Sequence, residues 1–217
     1  MIPAHERLRI SEVYASIQGE STFVGRPCVF VRLTGCNLRC IWCDSAFSFT
    51  GGTYRSIDDV VDEVVGHGLP LVEVTGGEPL VQKTAIPLME RLLARDLEVL
   101  LETSGSRDIA PVPEGVHIIM DLKAPDSKEA RANRMENLAL LRAKDELKIV
   151  LASRGDYEWA RSIVRAHPEL PCPILFSPVH GALDGADLAR WLVEDRLPVR
   201  LQVQLHKVLW PPDMRGV

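Results

Sequence analysis

The sequence predicts an α/β fold: a partial, open βα barrel of the TIM-like kind, preceded by a short N-terminal extended segment. Three observations predict it. Short β-branched runs alternate with stretches of helical periodicity along the chain, the pattern of parallel βα units. About seven strands with fewer helices are too few for a closed eightfold barrel of roughly 250 residues. Polar and glycine-rich motifs follow successive strands, at 36–44, 75–79, 102–105, 121–123, 177–181 and 206. Loops at the strand ends of such a fold converge on one rim.

Each element has its own signal. Residues 12–20 alternate and then turn at Gly19, which suggests an edge strand running into a loop. Pro27 precedes C-V-F-V-R-L, the first buried strand. Ser56 and Asp59 cap a helix whose apolar face is Ile57, Val60, Val61, Val64 and Val65, stopped by His67-Gly68. Strands are expected at 71–74, 98–101, 117–120, 147–151, 174–176 and 199–205. Ile86, Met89, Leu92 and Leu93 mark a second helical face, and further helices are expected at 136–143, 156–166 and 186–194.

Composition narrows the function. With 217 residues the chain suits one domain, 1–217, with a sizeable core. A net charge of −5 without a basic run argues against direct nucleic-acid binding. No apolar run approaches the ~20 residues that a bilayer needs, and the N-terminus lacks the apolar core of a signal peptide. A cytoplasmic protein without a membrane partner is expected. Of five cysteines, Cys36, Cys40 and Cys43 cluster, which fits a metal site better than a disulfide framework. Cys28 and Cys172 read as packing residues.

The cluster lies in L-T-G-C-N-L-R-C-I-W-C-D, residues 33–44, as C-x3-C-x2-C. A closed zinc site wants four ligands, and iron–sulfur clusters also usually take four. Three thiols on one loop suggest a [4Fe–4S] cluster with one iron open, against the alternatives of a zinc knuckle or thiols that merely fall close together. T-G-G-E-P at 75–79 has two glycines that let backbone approach a ligand closely.

C-x3-C-x2-C after a strand and a glycine resembles the radical S-adenosylmethionine (SAM) superfamily. That resemblance implies a cluster on Cys36, Cys40 and Cys43, SAM chelated at the open iron, and a deoxyadenosyl radical that abstracts hydrogen from substrate. It implies SAM contacts from Trp42, Cys43, Asp44, Gly77, Glu102, Ser104, Asp121, Lys123 and Ser177. Glu102 and Ser104 would take ribose hydroxyls, and Asp121 with Lys123 the amino-acid end.

With S-I-Q-G-E at 16–20, the run from Gly25 to Ser45 and H-K-V-L-W-P at 206–211, the chain resembles the 7-carboxy-7-deazaguanine synthase family from about residue 12 to 211. Q-G-E together with the terminal Q-x-H-K is more specific than the cysteines. The resemblance implies a lyase that converts 6-carboxy-5,6,7,8-tetrahydropterin to 7-carboxy-7-deazaguanine with loss of ammonia, a step toward the tRNA nucleoside queuosine. It implies a pterin pocket of Ile17, Gln18, Gly19, Arg32, Thr75 and His206, a Mg²⁺ on Ser45, an electron donor such as flavodoxin or ferredoxin, and a homodimer. Gln18 suits the amide-and-amine edge of a pterin, and the Arg32 fork suits its carboxylate. Three departures stand out: Ser21 for a common glycine, Ser45 for threonine, and residues 212–217 beyond the family motif. An activase that makes a glycyl radical on a partner enzyme shares the size and cluster but does not call for Q-G-E or the terminal H-K. A zinc or iron–sulfur binding module has no need of polar loops around the rim.

Overall fold

The computed structural model describes residue 3 and residues 6–217. Nine strands among them form one sheet: β1 (Arg7–Ile17), β2 (Pro27–Leu33), β3 (Thr53–Ser56), β4 (Leu71–Gly76), β5 (Glu98–Thr103), β6 (His117–Asp121), β7 (Glu146–Leu151), β8 (Ile174–Pro178) and β9 (Arg200–Leu201). Their order is β3-β1-β2-β4-β5-β6-β7-β8-β9. From β2 through β9 every neighbouring pair is parallel. β1 runs antiparallel to both β2 and β3. The ends of the sheet do not meet, so the barrel is open, as the alternating pattern predicts.

The two faces of the sheet are filled differently. On the outer face Val29, Val31, Val72, Val74, Val99, Leu101, Ile118 and Met120 pack against helices α1 (Ile57–Gly66), α2 (Ala85–Leu93), α3 (Arg154–Ala166) and α4 (Gly185–Asp195), forming the main core. The inner face holds a small apolar cluster of Cys28, Phe30, Leu71, Leu100 and Ile119. Strand side chains repeat every second residue, so the next inward positions are Arg32, Glu73, Glu102 and Asp121. The inner face is thus apolar near the strand starts and charged toward their C-terminal ends. Cys28 and Cys172 are buried packing residues, as expected.

Several expectations change. The strand expected at 12–20 begins at Arg7 and is not the edge, because β3 pairs with its first half. Two left-handed glycines, Gly51 and Gly52, turn the chain back to make that pairing. The helix expected at 136–143 is replaced by a 3-10 segment, Met135–Leu140. Asn137 explains it: its buried amide donates to the carbonyls of Gly105 (3.1 Å) and Arg107 (2.7 Å), an alternative to helical bonding. The last strand, expected at 199–205, shrinks to Arg200–Leu201 because the chain leaves the sheet, Leu205 N donating to Gly19 O at 2.9 Å. A short helix, α5 (His206–Leu209), follows. Val65 is exposed rather than part of the buried face of α1, and α2 buries Ala85 and Leu88 with Met89 and Leu92, leaving Ile86 and Leu93 at its margins. No helix among the described residues is long and apolar enough to cross a membrane.

Ser56 ends β3 and caps α1, its hydroxyl accepting from Asp59 N at 3.1 Å. Ser56→Ala should therefore lower stability by about 1 kcal/mol, read as a drop in the urea midpoint at unchanged m-value, with Ser56→Asp restoring it.

Candidate active site

A cavity of about 670 Å³ opens at the C-terminal ends of the parallel strands. It is lined by every residue that the sequence analysis assigns to cluster, SAM, Mg²⁺ or pterin except Ser177, which is buried within β8 and does not reach it.

The cysteine loop after β2 is held by its neighbours. Gly35 N donates to Ser48 O (2.8 Å), Glu78 N to Gly35 O (2.9 Å), Ile41 N to Ser127 O (3.3 Å) and Arg39 N to Glu129 Oε1 (2.5 Å). At Gly77 a Cβ would stand 2.5 Å from both Cys36 Cβ and Gly35 O. The glycine therefore serves the contact between two loops, whereas the sequence suggests approach to a ligand. Glu78 crosslinks the same region, accepting from Ser104 N (2.7 Å), Ser104 Oγ (2.5 Å) and Thr103 Oγ1 (2.9 Å). The Ser104 hydroxyl expected at a ribose is thus engaged within the protein.

Burial pushes the Cys36 and Cys40 thiols up, with Lys123 acting the other way; metal ligation is what would draw their protons off. Among the described residues no three His, Cys, Asp or Glu side chains converge on a single-ion position. A zinc with Zn–S bonds of about 2.3 Å would draw its sulfurs to within ~4 Å of one another. A four-iron cube is larger and suits thiols that surround a cavity.

Below the cysteines lies a buried set of charges that the motifs did not reveal. Lys148 Nζ reaches Glu20 Oε2 (2.8 Å), pairs with Glu102, and lies 3.9 Å from Asp121 Oδ2. Burial pushes the Glu102 carboxyl up, but the Lys148 charge overrides it and holds Glu102 below the usual range. Glu73 is driven the opposite way, well above its ordinary value, by burial and by the Glu102 charge. Gln18 Nε2 donates to Glu73, while Gln18 Oε1 accepts from Glu20 N at 2.5 Å. Both ends of this amide are spent inside the wall, and its backbone is paired as well, Gln18 N donating to Arg26 O and Gly25 N to Gln18 O, both at 2.8 Å. A signal existed: Lys148 in L-K-I-V-L and Glu73 in L-V-E-V-T are charges inside strands buried on both faces, where charges are rare unless paired.

The two ends of the chain meet here. Gln204 Nε2 donates to Glu20 Oε1 (2.8 Å), and Gln202 Nε2 donates to Glu20 Oε2 (3.1 Å). Lys207 Nζ and Gln204 Nε2 reach Asp44 Oδ2 at 3.0 and 3.2 Å. Half of the Asp44 side chain is exposed, yet desolvation within the cavity still pushes its carboxyl up; Lys207 and these hydrogen bonds override that and hold it at about 2. A Cβ on Gly19 would stand 2.4 Å from His206 Nδ1, so the glycine is needed for this contact. Burial pulls His206 below its ordinary value, keeping the imidazole neutral near pH 7. Nearby, Arg32 Nε donates to Glu12 Oε1 (2.8 Å) and Arg32 Nη2 to the Tyr14 hydroxyl (3.0 Å). Thr75 Oγ1 donates to Glu102 Oε2 at 3.3 Å.

The Radical SAM superfamily profile matches residues 30–156. A 7-carboxy-7-deazaguanine synthase of Koribacter versatilis (strain Ellin345) is 46% identical over 227 residues, covering 97% of this chain and 100% of the relative. This chain belongs to the 7-carboxy-7-deazaguanine synthase family. Another such synthase, from Chlorobaculum tepidum, is 47% identical, covering 97% of each chain. The crystal structure of QueE from Escherichia coli shares the fold, with a TM-score of 0.76 at 22% identity over 92% of this chain and 95% of that one. Streptococcus suis SuiB bound to precursor peptide SuiA has a TM-score of 0.61 at 14% identity, over 78% of this chain and 46% of that one.

The 7-carboxy-7-deazaguanine synthase family uses a [4Fe–4S] cluster and SAM, and the cavity fits both. Asp121 Oδ1 is buried without a partner among the described residues, while Asp121 Oδ2 accepts from Lys123 Nζ at 2.8 Å. An open acceptor beside an ammonium is complementary to the amino and carboxylate groups of SAM. Ser45 also fits a hard cation. Its hydroxyl caps nothing and lies 3.6 Å from Cys43 Sγ, while its carbonyl accepts from Ser48 N (2.9 Å) and Ser48 Oγ (2.7 Å).

Lys148→Met should destabilise the protein by about 3–5 kcal/mol near pH 7, because buried carboxylates lose their counter-charge. In the wild type the Glu102 pair stabilises the fold above the ordinary Glu value of about 4.3 and loses that contribution as pH falls through the lower folded-state value. In the variant burial acts alone and Glu102 protonates readily. The stability gap, read by denaturant unfolding, should be widest near pH 7 and narrow toward pH 4; a gap independent of pH contradicts the assignment.

Proposed function

We infer that the chain is a radical SAM lyase that converts 6-carboxy-5,6,7,8-tetrahydropterin to 7-carboxy-7-deazaguanine with release of ammonia, a step in 7-deazapurine and queuosine biosynthesis. One observation carries the reading beyond the cysteines. Q-G-E and Q-L-H-K, joined by a hydrogen bond between residues 184 positions apart, build one wall of the cavity that the cysteines roof.

Cys36, Cys40 and Cys43 hold the cluster. Trp42, Asp44, Gly77, Glu102, Asp121 and Lys123 would surround SAM, with Lys123 toward its carboxylate and Asp121 Oδ1 toward its amino group. Bound to the reduced cluster, SAM supplies a hydrogen-abstracting organic radical. The protein's own part is to place the pterin and exclude water. Ile17 and the Gly19 N–H face the amide edge, held in place by Gln18, whose side chain and backbone are both paired within the wall. Arg32 attracts the carboxylate, Thr75 lines the ring, and neutral His206 offers one donor and one acceptor. A Mg²⁺ on the Ser45 hydroxyl, completed by water and substrate oxygens, matches the ion's preference for hard ligands and few protein contacts.

The whole chain acts as a single domain, in agreement with its one continuous sheet. Its partners are an electron donor of flavodoxin or ferredoxin type and a second copy of itself. Five free cysteines suit the reducing cytoplasm.

Anaerobically reconstituted protein should hold about four irons per chain and should form 7-carboxy-7-deazaguanine and ammonia from the carboxypterin, reductant and SAM without a protein partner. Replacing Cys36, Cys40 or Cys43 by Ala should remove both iron and activity, whereas Cys172→Ala should keep both. Tightly bound zinc without iron supports a binding module, and deoxyadenosine formed only with a protein partner supports an activase. For the second metal, Ser45→Ala should lower turnover and lose most of the Mg²⁺ stimulation while Ser45→Thr retains it. Full wild-type activity after thorough chelation of Mg²⁺ returns Ser45 to a purely structural role.

A further inference from the structure

Residues 212–217, beyond the family motif, line the same cavity, and two of them, Asp213 and Arg215, are charged. We propose that Arg215 completes the receptor for the substrate's carboxylate, acting with Arg32 across a shared Glu12. The inference rests on the carboxypterin reading above.

Arg32 alone is poorly placed to grip a carboxylate. Its Nε and Nη2, the edge that forks a carboxylate side-on, are already taken by Glu12 at 2.8 Å and the Tyr14 hydroxyl at 3.0 Å. Arg215 differs. Its guanidinium stands 3.7 Å from the centre of the Phe47 ring, a cation–π contact that fixes the group at the cavity wall. The nearest carboxylate oxygen, Glu12 Oε2, is 3.8 Å away, too far for a hydrogen bond. The donors of Arg215 are therefore available. Arg32 faces the same ring at 5.7 Å, so Phe47 marks a place that both guanidinium groups border.

Charge points the same way. Glu12 bears one negative charge and contacts two guanidinium groups, one through each oxygen. Within this group of three, two positive charges less one negative leave one positive charge to meet an incoming carboxylate. Tyr14 does not alter this, since burial pushes its hydroxyl up and keeps it neutral. Asp213, the other charged side chain of the tail, is exposed, as is Arg215 at 58% of its side chain, and no carboxylate other than Glu12 lies within 4 Å of the Arg215 guanidinium among the described residues. Glu12 thus holds the two cations at a separation that their mutual repulsion would otherwise widen. A substrate carboxylate meets one cation that orients it and a second with unspent donors. Arg215 is then a specificity residue that selects pterins bearing the carboxylate.

The test compares two ligands on reconstituted, SAM-loaded protein: 6-carboxytetrahydropterin and a 6-methyl analogue without the carboxylate. Anaerobic equilibrium binding and steady-state turnover are measured for the wild type, Arg215→Ala and Arg215→Lys. Arg215→Ala should weaken carboxypterin binding about tenfold or more, as loss of a charged hydrogen bond does, and raise KM more than it lowers kcat. Binding of the methyl analogue and of SAM should stay unchanged, and Arg215→Lys should recover part of the loss. Equal weakening of both pterins would show that the tail is only a cover, and no weakening of either would show that Arg215 stays out of the pocket; each overturns the proposal. A wild type that binds neither pterin and forms no product refutes the functional reading itself, a result distinct from both.

Discussion

A single buried ammonium organises the site. Lys148 is 3% exposed, yet its charge faces Glu20, Glu102 and Asp121, which come from three other parts of the chain. Burial penalises every one of these charges, and their mutual placement offsets the penalty. The loop after β1 and strands β5, β6 and β7 are therefore fixed relative to one another by charge as well as by backbone pairing. Glu73, next in line, is pushed the other way, well above its ordinary value, by burial and the Glu102 charge. The cavity floor is in place before any ligand arrives, which suits a site that must hold a reactive species away from water.

The cavity has two chemically distinct ends over that floor. One end gathers the three thiols, the unpartnered Asp121 oxygen and the Lys123 ammonium. The other gathers Gly19, His206, Glu12, Arg32 and the tail. Thr75 and Glu102 lie between, joined to each other. The first end is complementary to an amino acid joined to a nucleoside, and the second to a flat heterocycle bearing a carboxylate. A shared wall at Thr75–Glu102 would bring the two ligands side by side, the arrangement that hydrogen transfer between them requires.

Much of this was legible in the sequence. Parallel βα units, the convergence of strand-end loops and the cysteine cluster follow from periodicity and spacing, which are local. The failures have a common cause. Asn137 sets a 3-10 segment where periodicity suggests a helix, because its amide finds carbonyls some thirty residues away. The last strand is cut short by a bond from Leu205 to Gly19. Gln18 reads as a ligand donor, but its partner Glu73 is 55 positions distant in sequence. Contacts across the sheet decide these cases, and no local pattern announces them. Lys148 and Glu73 are the exception, since a charge within an apolar parallel strand is itself a signal of a partner or a site.

The most direct test of the two-ended cavity is an anaerobic crystal structure of the reconstituted protein with SAM and the carboxypterin bound. The account predicts both molecules in this one cavity, the SAM amino-acid end at Asp121 and Lys123 and the pterin carboxylate toward Arg32 and Arg215. A pterin bound outside the cavity, or one whose carboxylate points away from the arginines toward Lys148, would contradict it.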